Sequence, residues 1–154
     1  MLMLAAVPAQ ATDSIFDSAS AHACFLDLLR DASWGLAGPY ERAAFVVESG
    51  DGTLRCVPWP ATHGYLSEHF HGVFPEGTVA IVHTHPADRP QPSGHDIQEA
   101  ARIGLPIYVL SIEGVYKANV EDWHVQRLAR GRSWLEIPKA VATKPAATAR
   151  SASR

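Results

Sequence analysis

Between Val79 and Gly104 the chain writes a strand, a loop and a helix in one stretch, and it sets ionisable side chains at both junctions. The strand Val79–His83 runs into His85, so His83 and His85 stand two positions apart. Residues i and i+2 of an extended segment point to the same side, and both imidazoles therefore face one region of space. The helix beyond the loop opens at Ser93-Gly94-His95-Asp96. Asp96 from this second element completes a three-ligand set with His83 and His85. A tetrahedral metal held that way keeps its fourth position for water, which is how catalytic zinc sites differ from closed structural ones. Ser93 would hold a hydroxyl beside them. The same serine and aspartate also read as a helix start, with Ser93 as N-cap and Asp96 in the first turn near the positive end of the dipole. Capping does not exclude catalysis, because a capping serine keeps lone pairs and a proton. His-x-His alone would read as two strand-end side chains in a polar loop; the joint spacing is what favours a metal.

A hydrolytic metal site needs a carboxylate that is not a ligand, within reach of the attacking water. Glu41 stands at the mouth of an apolar strand that begins at Ala43. Glu48 is a rival, but it sits at the far end of that strand. Taken together, Glu41 and the run His83-Thr84-His85-x₇-Ser93-x-x-Asp96 resemble the JAMM (MPN-plus) metallopeptidases. That family includes isopeptidases acting on ubiquitin, relatives acting on sulfur-carrier proteins, peptidoglycan-cleaving domains, and metal-free scaffolds. The resemblance covers roughly residues 13 to 134. It implies one zinc per chain on His83, His85 and Asp96, with Glu41 activating water and Ser93 stabilising the oxyanion. It also implies a cytidine-deaminase-like JAMM/MPN architecture. The family usually has glycine three residues after the glutamate, and this chain has Ala44 there.

The 154 residues suffice for one domain, with 47% hydrophobic and 19% charged residues fitting a globular chain. From Lys139 onward there are two lysines and two arginines and no acid; removing that +4 from the net −3 leaves −7 for the rest. An acidic body argues against a nucleic-acid partner. Residues 137–154, rich in Ala, Ser, Thr and Pro, are expected to be a disordered basic tail. Residues 1–12 read as the end of a secretory signal with Ala9-x-Ala11 as cleavage site, although no positive n-region precedes it. Export to the periplasm or beyond is therefore expected, with a cytoplasmic location as the alternative, and no stretch reads as a transmembrane segment. Cys24 and Cys56 fit either compartment, paired or as two thiols. Residues 13–136 form the expected metallopeptidase domain.

Within that domain the pattern predicts a helix over about 13–32, a hairpin of Ala43–Glu48 and Thr53–Val57, and the strand Val79–His83. It then predicts a helix from Ser93 to Gly104, strands Ile107–Ser111 and Val115–Ala118, and a last short helix over 120–129. The fold class is α+β, a mixed or mostly antiparallel sheet flanked by helices. His63, His69 and His71 form a second histidine group, read as groove-lining or surface residues. His95 is expected to face solvent or substrate, and Asp88 and Arg89 to face substrate. Trp59, Tyr65 and Phe70 read as core packing or as an aromatic wall, and Trp123 and Trp134 as core anchors. The expected substrate is a peptide or isopeptide. Export would make it a peptidoglycan stem peptide, and retention in the cytosol would make it a ubiquitin-like or sulfur-carrier protein.

Overall fold

The computed structural model describes residues 13–36, 40–60 and 72–136. The expected signal segment, tail and second histidine group, with Tyr65 and Phe70, lie outside them. A first helix, α1 (Ala19–Asp31), precedes the hairpin β1 (Ala43–Glu48) and β2 (Leu54–Pro58). Strand β3 (Thr78–Thr84), helix α2 (Gly94–Ile103) and strand β4 (Ile107–Ser111) follow, then β5 (Gly114–Ala118) and β6 (Val125–Arg130). The sheet runs β2-β1-β3-β4-β5-β6, with β3 and β4 parallel and every other pair antiparallel. The α+β class read from the sequence is the one observed.

The parallel pair exists because α2 carries the chain back across the sheet between its two strands. Alternation along the strands then sorts the core into two layers. Ala44, Val46, Ala80, Val82, Tyr108 and Leu110 face the layer of α1, which contributes Ala21, Phe25, Leu26, Leu28 and Leu29 at helical spacing. Phe45, Val47, Ile81, Ile107 and Val109 face the layer that holds Ala100 of α2. Strand β4 is buried along its whole length, which explains its unbroken apolar run. Trp59 packs on Phe45 at 5.4 Å between ring centroids, and Phe74 packs on the same ring at 5.1 Å, so Trp59 is a core residue. Cys24 of α1 and Cys56 of β2 form a disulfide, their Cα atoms 5.9 Å apart.

Three expectations are corrected. Helix α1 starts after the N-cap Ser18, and Asp13 belongs to the preceding turn. There it is buried, accepting hydrogen bonds from Tyr108 Oη and Lys117 Nζ, each at 2.8 Å. The predicted helix over 120–129 is instead the strand β6, in antiparallel register with β5. Its apolar side chains divide between the two core layers, Val125 to one and Leu128 and Ala129 to the other, which a single helical stripe could not do. Pairing with β5 thus overrides local propensity. Trp123, expected as a core anchor, is 59% exposed in the irregular segment before β6 at φ 56°, whereas Trp134 is buried as expected.

Candidate metal centre

Each side chain of the site is delivered by a different local rule. His83 lies in β3 opposite Ala43 of β1. Continuing that antiparallel register sets Glu41 across from His85. The register is held where the two segments meet, by Thr84 N–H donating to the Arg42 carbonyl and Arg42 N–H donating to Thr84 Oγ1, both at 2.9 Å. The His85 N–H donates to the Leu110 carbonyl of β4 at 2.8 Å, so the residue remains tied to the sheet after β3 ends. Asp96 is fixed by a capping box. Ser93 N–H and Ser93 Oγ–H both donate to Asp96 Oδ2, at 2.6 and 2.7 Å, and Asp96 N–H donates back to Ser93 Oγ at 3.2 Å. The helix-start reading of Ser93 and Asp96 therefore holds, and it serves the site by orienting Asp96.

The four ionisable side chains converge. His83 Nε2 lies 3.0 Å from His85 Nε2 and 3.2 Å from Asp96 Oδ1. His85 Nε2 lies 3.4 Å from Glu41 Oε1 and 3.6 Å from Asp96 Oδ2. Glu41, His83 and His85 bring one ligand atom each within 4.8 Å of one another, and Asp96 abuts both imidazoles from the α2 side. His85 Nδ1 faces two carbonyl oxygens, Arg89 at 3.1 Å and Gln91 at 2.9 Å. Carbonyls only accept, so Nδ1 carries the proton and Nε2 of the neutral ring offers its lone pair to the cluster. That arrangement, a backbone carbonyl behind and an open nitrogen in front, is how metal-binding histidines are oriented. The donor set of two imidazoles and carboxylate oxygens suits zinc.

Electrostatics separate the two acids. Burial pushes Glu41 up to about 7; the charges of His83 and Arg89 oppose this and that of Asp96 adds to it. Burial acts the same way on Asp96, but the His83 hydrogen bond and charge and the two bonds from Ser93 hold it well below the usual carboxylate range. Burial and the neighbouring His83 push His85 down to about 4. For His83 burial works downward too, yet the Asp96 hydrogen bond and the charges of Asp96 and Glu41 outweigh it and raise the imidazole. Burial thus acts alike on the two carboxylates, and the hydrogen bonds and charge at Asp96 carry it in the opposite direction from Glu41.

Of the other residues weighed from sequence, Glu48 is exposed at the opposite end of β1, which removes it from the site. His95 is exposed on the first turn of α2, and Asp88 and Arg89 are exposed on the loop. Ala44 is fully buried toward α1, so its methyl group lies on the sheet face away from His83. Sequence reading missed the carbonyls of Arg89 and Gln91, which no side-chain pattern announces. It also missed Thr84 Oγ1, although the residue stands inside the His-x-His.

The model of a family described as prokaryotic homologs of the JAB domain matches residues 75–129, a span containing His83, His85, Ser93 and Asp96. The match supports the JAB/MPN family. It does not single out the zinc peptidases within it. The six-stranded sheet with helices α1 and α2, as seen among the described residues, is consistent with a JAB/MPN-like fold. No curated protein matches the chain. A protein from Salinibacter ruber, its structure determined in solution, is 17% identical, with 74% of this chain and 89% of that chain covered and a TM-score of 0.39.

Proposed function

We propose that this chain is a zinc-dependent metallopeptidase that hydrolyses an amide or isopeptide bond. The observation that carries the reading is the convergence of His83, His85, Asp96 and Glu41, with His85 Nδ1 tied to two carbonyls so that Nε2 turns inward. His83, His85 and Asp96 would hold one zinc. When bound, zinc polarises the scissile carbonyl and lowers the pKa of water toward about 7.

The remaining chemistry belongs to the side chains. Glu41 takes a proton from the attacking water as its oxygen bonds to the carbonyl carbon, then delivers that proton to the amine as the C–N bond breaks. Its carboxylate stands 3.4 Å from His85 Nε2, and burial lifts its pKa to about 7, which suits a group that takes and returns a proton near neutral pH. Ser93 Oγ–H points at Asp96 Oδ2, and rotation about the Cβ–Oγ bond redirects it to the oxyanion. The substrate we infer is a peptidoglycan stem peptide outside the cytoplasm. The Cys24–Cys56 disulfide supports an oxidising compartment, and the Ala9-x-Ala11 segment supports export.

The test is zinc content and murein cleavage for wild type, His85→Ala and Glu41→Gln. We expect one zinc per chain in wild type and Glu41→Gln, little in His85→Ala, and a rate about 10³-fold lower in Glu41→Gln, within the usual loss for a general base. Zinc without murein cleavage moves the substrate to ubiquitin-like or sulfur-carrier tails. A wild type that binds no zinc after reconstitution would make the chain a scaffold.

A further inference from the structure

We propose that the left-handed turn Ser33–Gly35, at the end of α1, is the backstop that positions His85 for metal binding, with Gly35 as its positioning residue. The proposal rests on the metal reading above and concerns a residue outside the histidine, serine and aspartate motif. Ser33, Trp34 and Gly35 have φ of 51°, 60° and 68°, three successive residues in the left-handed region. Two of them carry side chains, and such residues persist only where the surroundings hold them. Here Gly35 N–H donates to the Ala32 carbonyl at 3.0 Å and Leu36 N–H to the Ser33 carbonyl at 3.1 Å. Trp34, half-buried, packs on the α1-side core.

What the turn presses against is the main chain of the ligand loop. A Cβ at Gly35 would stand 2.8 Å from the His85 carbonyl oxygen, 3.2 Å from Pro86 Cα and 3.3 Å from Ala87 N. All three are backbone atoms, which cannot swing aside as a flexible side chain would. The His85 residue is held from its other sides by the Leu110 carbonyl on its N–H and the Arg89 and Gln91 carbonyls on its ring. A methyl group at residue 35 therefore has to shift either the turn or the His85 peptide. A metal–ligand distance tolerates about 0.2 Å. The contact is also a coupling: whatever moves the end of α1 moves a metal ligand.

Gly131 supplies a matched control. Its φ is 64°, close to that of Gly35, but an added Cβ there meets nothing within 4 Å. Alanine at either site carries the same left-handed strain, and only alanine at residue 35 pushes on His85. The experiment is a zinc titration of the full chain against a chromophoric chelator, for wild type, Gly35→Ala and Gly131→Ala, with urea unfolding in EDTA alongside. We expect zinc affinity to fall about tenfold or more in Gly35→Ala, the usual cost of disturbing the groups behind a ligand, and to stay unchanged in Gly131→Ala. Equal zinc affinity in the two variants overturns the proposal while leaving the metal reading intact. A wild type that binds no zinc overturns both. Should Gly35→Ala not fold, Trp34→Gly carries the test. It eases the φ strain yet removes the anchor that keeps the turn against the loop, so weaker zinc binding is expected and unchanged binding overturns the idea.

Discussion

Asp13 and Asp96 are equally hidden, each 8% exposed, and each is held below the ordinary carboxylate range, but by different means. At Asp13, burial pushes upward and is outweighed by Lys117 at 2.8 Å, the Phe16 N–H at 2.9 Å and Tyr108 Oη at 2.8 Å. One acid meets one permanent cation and fixed donors. At Asp96 the positive charge comes from His83, a side chain that titrates, in a space shared with a second carboxylate and a second imidazole. The first cluster is complete in itself. The second gathers two acids around nitrogen lone pairs, and a divalent cation complements that collection better than one mobile proton does.

The comparison breaks first on metal. Zinc in thousandfold excess over its dissociation constant stabilises a protein by about 4 kcal/mol, or about 10 °C in melting temperature for a domain of this size. Wild type should therefore melt about that much higher in zinc than in EDTA. His85→Ala should lose the difference, and Asp13→Asn should keep it. Equal melting of wild type in zinc and in EDTA would show the second cluster to be as self-sufficient as the first.

Asp13→Asn sharpens the other side. It leaves a buried Tyr108 hydroxyl and a Lys117 ammonium, its side chain 22% exposed, facing a neutral amide. Stranding one partner of a buried pair costs about 3 kcal/mol, at the lower end here because the lysine reaches water. Urea unfolding at pH 7 in EDTA reads that loss directly; a change below about 0.5 kcal/mol would place Asp13 among ordinary surface acids. The pH dependence follows from the same contact. The folded-state pKa of Asp13 lies below its ordinary value, so its contribution is present above about pH 4 and is lost as pH falls through the lower folded value. Wild type should lose more stability than Asp13→Asn on going from pH 5 to pH 2. Parallel acid titrations of the two would contradict that assignment.

The two clusters also differ in how far they could be read from the sequence. His83, His85, Ser93 and Asp96 obey short-range rules, two-residue alternation and the capping box, so their convergence is written locally. Glu41 stands at the mouth of an apolar strand and takes its role from the resemblance, but its approach to His85 depends on the strand pairing that sets Ala43 opposite His83. Asp13 was read as the start of a helix, since its true partners lie 95 and 104 positions away. Gly35 lies just past the helix predicted over about 13–32, but its close approach to the His85 carbonyl is a tertiary fact. Strand β6 was misread for the same reason: Val125–Arg130 becomes a strand by completing the edge of β5.

The smallest effect separates two serines that do the same local job. Ser18 caps α1 through a long bond from Ala21 N–H, 3.5 Å, and also meets Ser20 Oγ at 3.0 Å. Ser93 caps α2 and in addition puts two donors on a carboxylate of the site. Alanine at a good N-cap costs about 1 kcal/mol. Ser93→Ala should cost about that in EDTA, and Ser18→Ala about half as much because its bond is longer. Their effects on zinc should part more clearly. Ser93→Ala removes the hydroxyl donor on Asp96 Oδ2 and keeps the backbone one, so zinc affinity should weaken by several-fold, less than in Gly35→Ala, because Asp96 stays oriented by its remaining bond. Ser18→Ala should leave zinc untouched. If both serines lowered zinc affinity alike, the effect would be general loosening of the fold, and the capping box would hold the helix without holding the ligand.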